Sequence, residues 1–77
     1  MSSMKITLRA ARVNAGLNLV DASELFGINK DTLAKYEKDS SNVPRSFFSR
    51  IEEVYGFPVE YIFFGPQSDF FRKLKTA

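Results

Sequence analysis

Apolar residues recur at helical spacing in five short segments of this chain, with turn signals between them. The first predicted helix runs from about Thr7 to Ala15, with Thr7 as its N-cap. Leu8, Ala11 and Ala15 share one stripe, and Gly16 suits the residue that ends a helix. The second helix starts at Asn18 and carries Asp21 in its first turn, where a negative charge suits the helix dipole. Its pattern turns Ala22, Leu25 and Phe26 inward, and Gly27 ends it. Ile28 is a candidate buried plug in the following turn. Asn29 then caps a third helix whose inner stripe is Leu33 and Tyr36, while Lys30, Thr32, Lys35 and Lys38 point outward.

Beyond the polar loop Asp39-Ser40-Ser41-Asn42, Pro44 fits the first turn of a fourth helix. Phe47, Phe48, Ile51, Val54 and Tyr55 follow at strongly amphipathic spacing, and Gly56 closes the helix. Leu33, Tyr36, Phe47, Phe48, Ile51 and Val54 are expected in the core. Pro58 opens a short fifth helix with Val59, Ile62 and Phe63 on one side, and Gly65-Pro66 stops it. In the tail, Ser68 is a candidate cap, and Phe70, Phe71 and Leu74 recur at helical spacing. No stretch sustains the alternation of a half-buried strand. The expectation is an all-α fold of five helices, with one domain over residues 1–65 and a tail over 66–77 that forms a short dimerisation helix.

Composition narrows the functional classes. Seventy-seven residues make one domain with a modest core. The chain holds no cysteine and no histidine, which excludes a disulfide and makes a zinc site implausible. No catalytic constellation is present. Glu52 and Glu53 are neighbours on a helix, so their side chains diverge by about 100° and read as solvated surface. An enzyme, a cofactor and a small-molecule ligand are therefore not expected. No apolar run approaches the ~20 residues of a membrane span, and Met1-Ser2-Ser3-Met4-Lys5 lacks the apolar stretch of a signal peptide. A cytoplasmic protein without membrane contact is expected. The net charge is only +2, but it is uneven: eight basic residues face five acidic ones up to Arg50, and three face four thereafter.

The informative unit is the second helix, Gly27-Ile28-Asn29 and the third helix. Two short amphipathic helices joined by a tight turn that opens on glycine form a helix-turn-helix. Gly27 allows the turn, and the small Ser23 lets the helices approach. Ala22, Phe26, Ile28, Leu33 and Tyr36 set the crossing angle. The third helix then stands out as a polar ridge, and a DNA major groove about 12 Å wide admits one helix of that diameter.

The stretch from Gly16-Leu17-Asn18 to Glu37-Lys38 resembles the lambda-repressor/Cro-type (xenobiotic-response-element type) helix-turn-helix family. Leu8, Arg9 and Arg12 fit that family's first helix. Pro44, the run Phe48 to Gly56, and Glu60-Tyr61-Ile62-Phe63-Phe64-Gly65 fit its last two helices. The likeness covers about residues 6 to 65. It implies a compact five-helix domain that binds a double-stranded DNA operator, usually as a homodimer, and acts as a Cro-like or repressor-like regulator of transcription in a phage or bacterium. By position, Lys30, Asp31, Thr32 and Lys35 match base-contacting residues. Asn18 at the start of the second helix, Lys38, Ser40, Ser41, Asn42 and Arg45 match phosphate-contacting ones. Arg12 and Glu37 match an internal salt bridge, which makes Arg12 structural first and a phosphate ligand second. One departure stands out: Leu19 occupies a position where many members carry Gln, and with Val20 it offers an apolar patch instead.

Five aromatic residues fall within the eleven positions from Tyr61 to Phe71. Tyr61, Phe64, Phe70 and Phe71 are the candidate dimer interface, since aromatic residues are enriched at such surfaces. The competing reading keeps the fold without strong DNA binding, as a protein-interaction module such as an antirepressor or antitoxin. The Leu19 patch and the aromatic tail would be its contact surface.

Overall fold

Short-range capping sets most of the helix starts. In a computed structural model that describes the backbone of residues 5–76 and the side chains of residues 5–72, α1 spans Leu8–Asn14. Thr7 Oγ1 accepts from the Ala10 N–H at 3.0 Å at its start. The second helix, α2 (Leu19–Phe26), is capped by Asn18, whose Oδ1 accepts from the Asp21 N–H at 2.7 Å. The third, α3 (Lys30–Lys38), is capped by Asn29 in the same way, with Oδ1 accepting from the Asp31 N–H at 2.7 Å. Each cap satisfies a backbone donor that a helix start leaves without an intrahelical acceptor. Met1 to Met4 and the side chains of Lys73, Leu74 and Lys75, which entered the sequence reading, lie outside the described residues.

The single fourth helix expected from periodicity is broken into α4 (Arg45–Phe48) and α5 (Ile51–Tyr55). Pro44 stands just outside as the N-cap. At the break the Arg50 N–H donates to the Phe47 carbonyl at 3.1 Å, a tight three-residue turn, and the Ser49 hydroxyl donates to the Ser46 carbonyl at 3.2 Å. Phe47 and Ile51, four residues apart, both reach the core. Phe48 does not join them: it is 40% exposed and its ring lies 5.2 Å from that of Phe64. Adjacent helical residues point about 100° apart, so the core takes one of the two phenylalanines.

The fifth helix shortens to a 3-10 turn at Val59–Tyr61. Ile62 and Phe63, expected on that helix, instead form strand β2 (Ile62–Phe63), parallel to β1 (Ile6–Thr7) with Ile6 opposite Ile62 and Thr7 opposite Phe63. The extended backbone sends Ile62 into the core and Phe63 the other way, 5.4 Å from the Phe70 ring. The tail is helical as α6 (Gln67–Thr76) and packs against α3. Ser68 is not its cap but lies inside the first turn, where the Pro66 carbonyl accepts from the Asp69 N–H at 3.0 Å.

The core gathers Leu8, Ala11, Ala22, Phe26, Leu33, Phe47, Ile51, Tyr55 and Ile62. Burying each large member contributes about 1.5–3 kcal/mol. Phe26 sits at its centre, 4.3 Å from the Phe47 ring and edge-on to Tyr55 at 5.3 Å. Tyr36 and Val54 are half-buried against it. Leu25, expected inward, is 50% exposed. The α2 face that turns inward carries Ala22, Ser23 and Phe26, with Leu19 packed partly against the core.

Candidate nucleic-acid interface

The turn between α2 and α3 is built by Gly27, whose φ of +74° is a left-handed conformation that costs a residue with a side chain. Its N–H and that of Ile28 return to the Glu24 and Ser23 carbonyls at 3.1 and 3.0 Å, closing α2. Ile28 is half-buried against the core, as a plug. Ser23 is buried beside α3, and its hydroxyl donates to the Val20 carbonyl at 2.8 Å, so no polar group is stranded there.

At the other end of α3, Arg12 and Glu37 are both buried. Arg12 Nε donates to Glu37 Oε2 at 2.6 Å and Nη2 to Oε1 at 3.4 Å, while Nη1 donates to the Leu17 carbonyl at 2.9 Å. The guanidinium is buried and bound inside the fold. It ties α1, the turn before α2 and the end of α3 together. The Tyr55 hydroxyl is buried close by without a hydrogen-bond partner among the described residues. Burial, and then the Glu37 charge, push its ionisation well above the ordinary tyrosine range.

With Leu33 and Glu37 buried and Tyr36 half-buried, α3 leaves Lys30, Asp31, Lys35 and Lys38 exposed and Thr32 half-buried. Four side chains matched to base contacts thus lie on the first turns of one helix, with Lys38 at its end. Asn18 is exposed, but its Oδ1 is taken by the cap, leaving the amide nitrogen as a donor. Leu19 turns partly into the core, so the apolar surface of α2 consists of Val20, 47% exposed, and Leu25.

Ser41 and Asn42 are exposed on the loop that follows α3, and Arg45 is exposed at the first position of α4. Asp39 Oδ1 accepts from the Ser41 N–H at 3.0 Å and its hydroxyl at 2.6 Å, and these bonds hold the Asp39 carboxyl below its ordinary range. Ser40 corrects the expectation of a phosphate ligand. It is buried, and both its backbone N–H and its hydroxyl are bound to Gly65. Nothing in the sequence near Ser40 signals this, because the partner lies 25 residues away.

The four candidate interface aromatics do not share one face. The Phe64 ring packs tilted against Phe48 beside Arg45 and Ser41, and Tyr61 lies 6.5 Å from Phe57. Phe70 and Phe71 line a groove against Ile6, Ala10 and Val13 of the β1–α1 segment. Phe48 was missed as a surface residue, although the Phe47-Phe48 doublet carried the signal. Among the described residues, no group of three or more acidic, His or Cys side chains gathers to hold a metal. No helix there is long and apolar enough to cross a membrane.

Comparison with curated proteins gave no match. Comparison with protein families matches residues 8–62, most of the chain, to the family described as helix-turn-helix. That span starts with α1 and ends in β2, and holds the α2–Gly27–α3 unit at its centre. With its turn, its braced α3 and this match, the chain belongs to the lambda-repressor/Cro-type helix-turn-helix family of DNA-binding regulators.

Proposed function

We propose that the domain reads a specific operator by laying α3 in the major groove, and regulates transcription as a Cro-like or repressor-like protein of a phage or bacterium. The observation that carries this reading is the outward face of α3. Lys30, Asp31, Lys35 and Lys38 are exposed on a helix whose opposite side is anchored by Leu33 and by Glu37 in its ion pair. Lys30 and Lys35 donate to guanine O6 and N7, Asp31 accepts from cytosine N4, and Thr32 meets a thymine methyl. Asn18, Lys38, Ser41, Asn42 and Arg45 settle the domain on phosphates.

Two copies then read half-sites about 34 Å apart. Phe48 and Phe64 provide their contact. This pair adjoins the Arg45 loop, so a twofold axis beside it keeps both α3 helices on one side of the DNA. Phe70 and Phe71 lie apart from that pair, on α6, where Phe71 also borders Lys35 and Lys38.

The test is selection from a randomised duplex pool at about 150 mM salt, repeated with Lys30→Ala/Lys35→Ala. A palindromic motif that the variant no longer enriches is the expected result. No enrichment, even at lower salt, overturns the reading. Exposed Val20 and Leu25 on α2 favour a second reading, a protein-interaction module on the same fold. In that case the double variant keeps its protein partner, and neither protein enriches DNA.

A further inference from the structure

Ser40 is buried although Asp39 and Ser41 on either side are exposed. Its backbone N–H donates to the Gly65 carbonyl at 3.1 Å, and the Gly65 N–H donates back to Ser40 Oγ at 3.0 Å. The Ser40 hydroxyl lies 3.4 Å from the Phe63 and Gly65 carbonyl oxygens. One step before, Asp39 and Pro66 form an antiparallel bridge. Together these contacts clasp the exit of α3 to the turn between β2 and α6. On the other side of Ser40, Asp39 holds Ser41 through two hydrogen bonds, and Val43 is half-buried against the core. Ser41 and Asn42 therefore span a short gap between two anchored points, and Arg45 follows at the first position of α4.

We propose that Ser40 is a positioning residue for DNA binding: its paired hydrogen bonds to Gly65 hold the α3–α4 loop so that Ser41, Asn42 and Arg45 stand at phosphates when α3 enters the groove. The inference rests on the groove-reading function proposed above. A loop held in its bound shape spares the ordering cost of association. Ser40 acts through the loop and does not touch DNA. The β2–α6 turn thereby becomes part of the scaffold of the binding face.

Each phosphate neutralised by a Lys or Arg contributes about 0.9 to the slope of log affinity against log salt, and Arg45 is the cation at the end of this loop. That slope reads loop placement separately from stability. It is measured on a random-sequence duplex for the wild-type chain, Ser40→Ala, Ser40→Thr, Gly65→Ala and Arg45→Ala, each at a temperature where circular dichroism shows it folded. Gly65→Ala disturbs the clasp from the far side, since an added Cβ meets the Phe63 ring at 3.0 Å. It carries the test if Ser40→Ala does not fold. Arg45→Ala is expected to lower the slope by about 0.9, and Ser40→Ala and Gly65→Ala by about the same amount, as the Arg45 contact is lost. Ser40→Thr, which keeps the hydroxyl, retains the wild-type slope. A lowered unfolding midpoint with an unchanged slope in Ser40→Ala or Gly65→Ala, while Arg45→Ala loses its contact, overturns the positioning role alone. An unchanged slope in Arg45→Ala overturns the loop–phosphate reading and the positioning role with it.

Discussion

Arg12 of α1 and Glu37 of α3, 25 residues apart, meet through two hydrogen bonds at 2.6 and 3.4 Å in the interior of the domain. The third arm of the guanidinium reaches the Leu17 carbonyl, so one side chain joins three parts of the chain. Removing one partner strands the other as a buried charge. Glu37→Ala is expected to cost about 3–5 kcal/mol, whereas replacing both residues, Arg12→Met with Glu37→Leu, costs much less. Urea denaturation of the two variants checks this. Equal losses would mean that the pair is worth no more than its packing.

The Tyr55 hydroxyl makes the opposite prediction. It is buried without a hydrogen-bond partner among the described residues, so Tyr55→Phe is expected to be neutral or to stabilise by up to about 1 kcal/mol at neutral pH. At high pH the effect grows. The folded protein holds the phenol neutral, while the unfolded chain ionises near its ordinary value of about 10. The unfolded state then binds fewer protons than the native one, and stability falls as pH rises beyond about 10. Midpoints measured from pH 8 to pH 11, a range of about three units around that value, should fall more steeply for the wild type than for Tyr55→Phe.

Gly27 sets the angle at which α3 leaves α2. A Cβ there meets nothing within 4 Å, so the penalty of Gly27→Ala comes from its φ of +74° alone. The expected loss is about 1–2 kcal/mol. It appears as a lower unfolding midpoint, with operator affinity kept in the fraction that remains folded. A large affinity loss in fully folded Gly27→Ala would mean that the turn shifts rather than strains.

Phe48 and Phe64, their rings tilted 5.2 Å apart, carry the proposed contact between copies. Phe48→Ser/Phe64→Ser is expected to shift the chain to monomer in sedimentation equilibrium. It should also weaken binding to a two-half-site duplex far more than to a single half-site. Phe71→Ser, on the α6 face, should change neither. The reverse pattern would move the dimer contact to the groove between α1 and α6.

Much of the binding unit was legible because its causes are local. Asn18, Gly27 and Asn29 act within three residues of themselves, and the helical period then decides that Leu33 turns in while Lys30, Lys35 and Lys38 turn out. The weak points were stretches whose hydrogen bonds close over long distances. Ile62 and Phe63 have helix-compatible spacing, but their backbone pairs with Ile6 and Thr7 at the other end of the chain. The Phe47-to-Tyr55 pattern fits one straight helix, yet the chain turns at Ser49-Arg50, a break that the apolar spacing does not signal.

The sequence by itself thus determined the first three helices, their caps at Thr7, Asn18 and Asn29, and which face of α3 is polar. Those properties follow from backbone sterics and from hydrogen bonds to near neighbours. Only the tertiary structure decided that Ser40 is an interior anchor rather than a phosphate ligand. It also parted Phe64 from Phe70 and Phe71, and left Leu25 in solvent. Each of these outcomes depends on which distant surface arrives beside a residue, and burial and long-range hydrogen bonding are settled there.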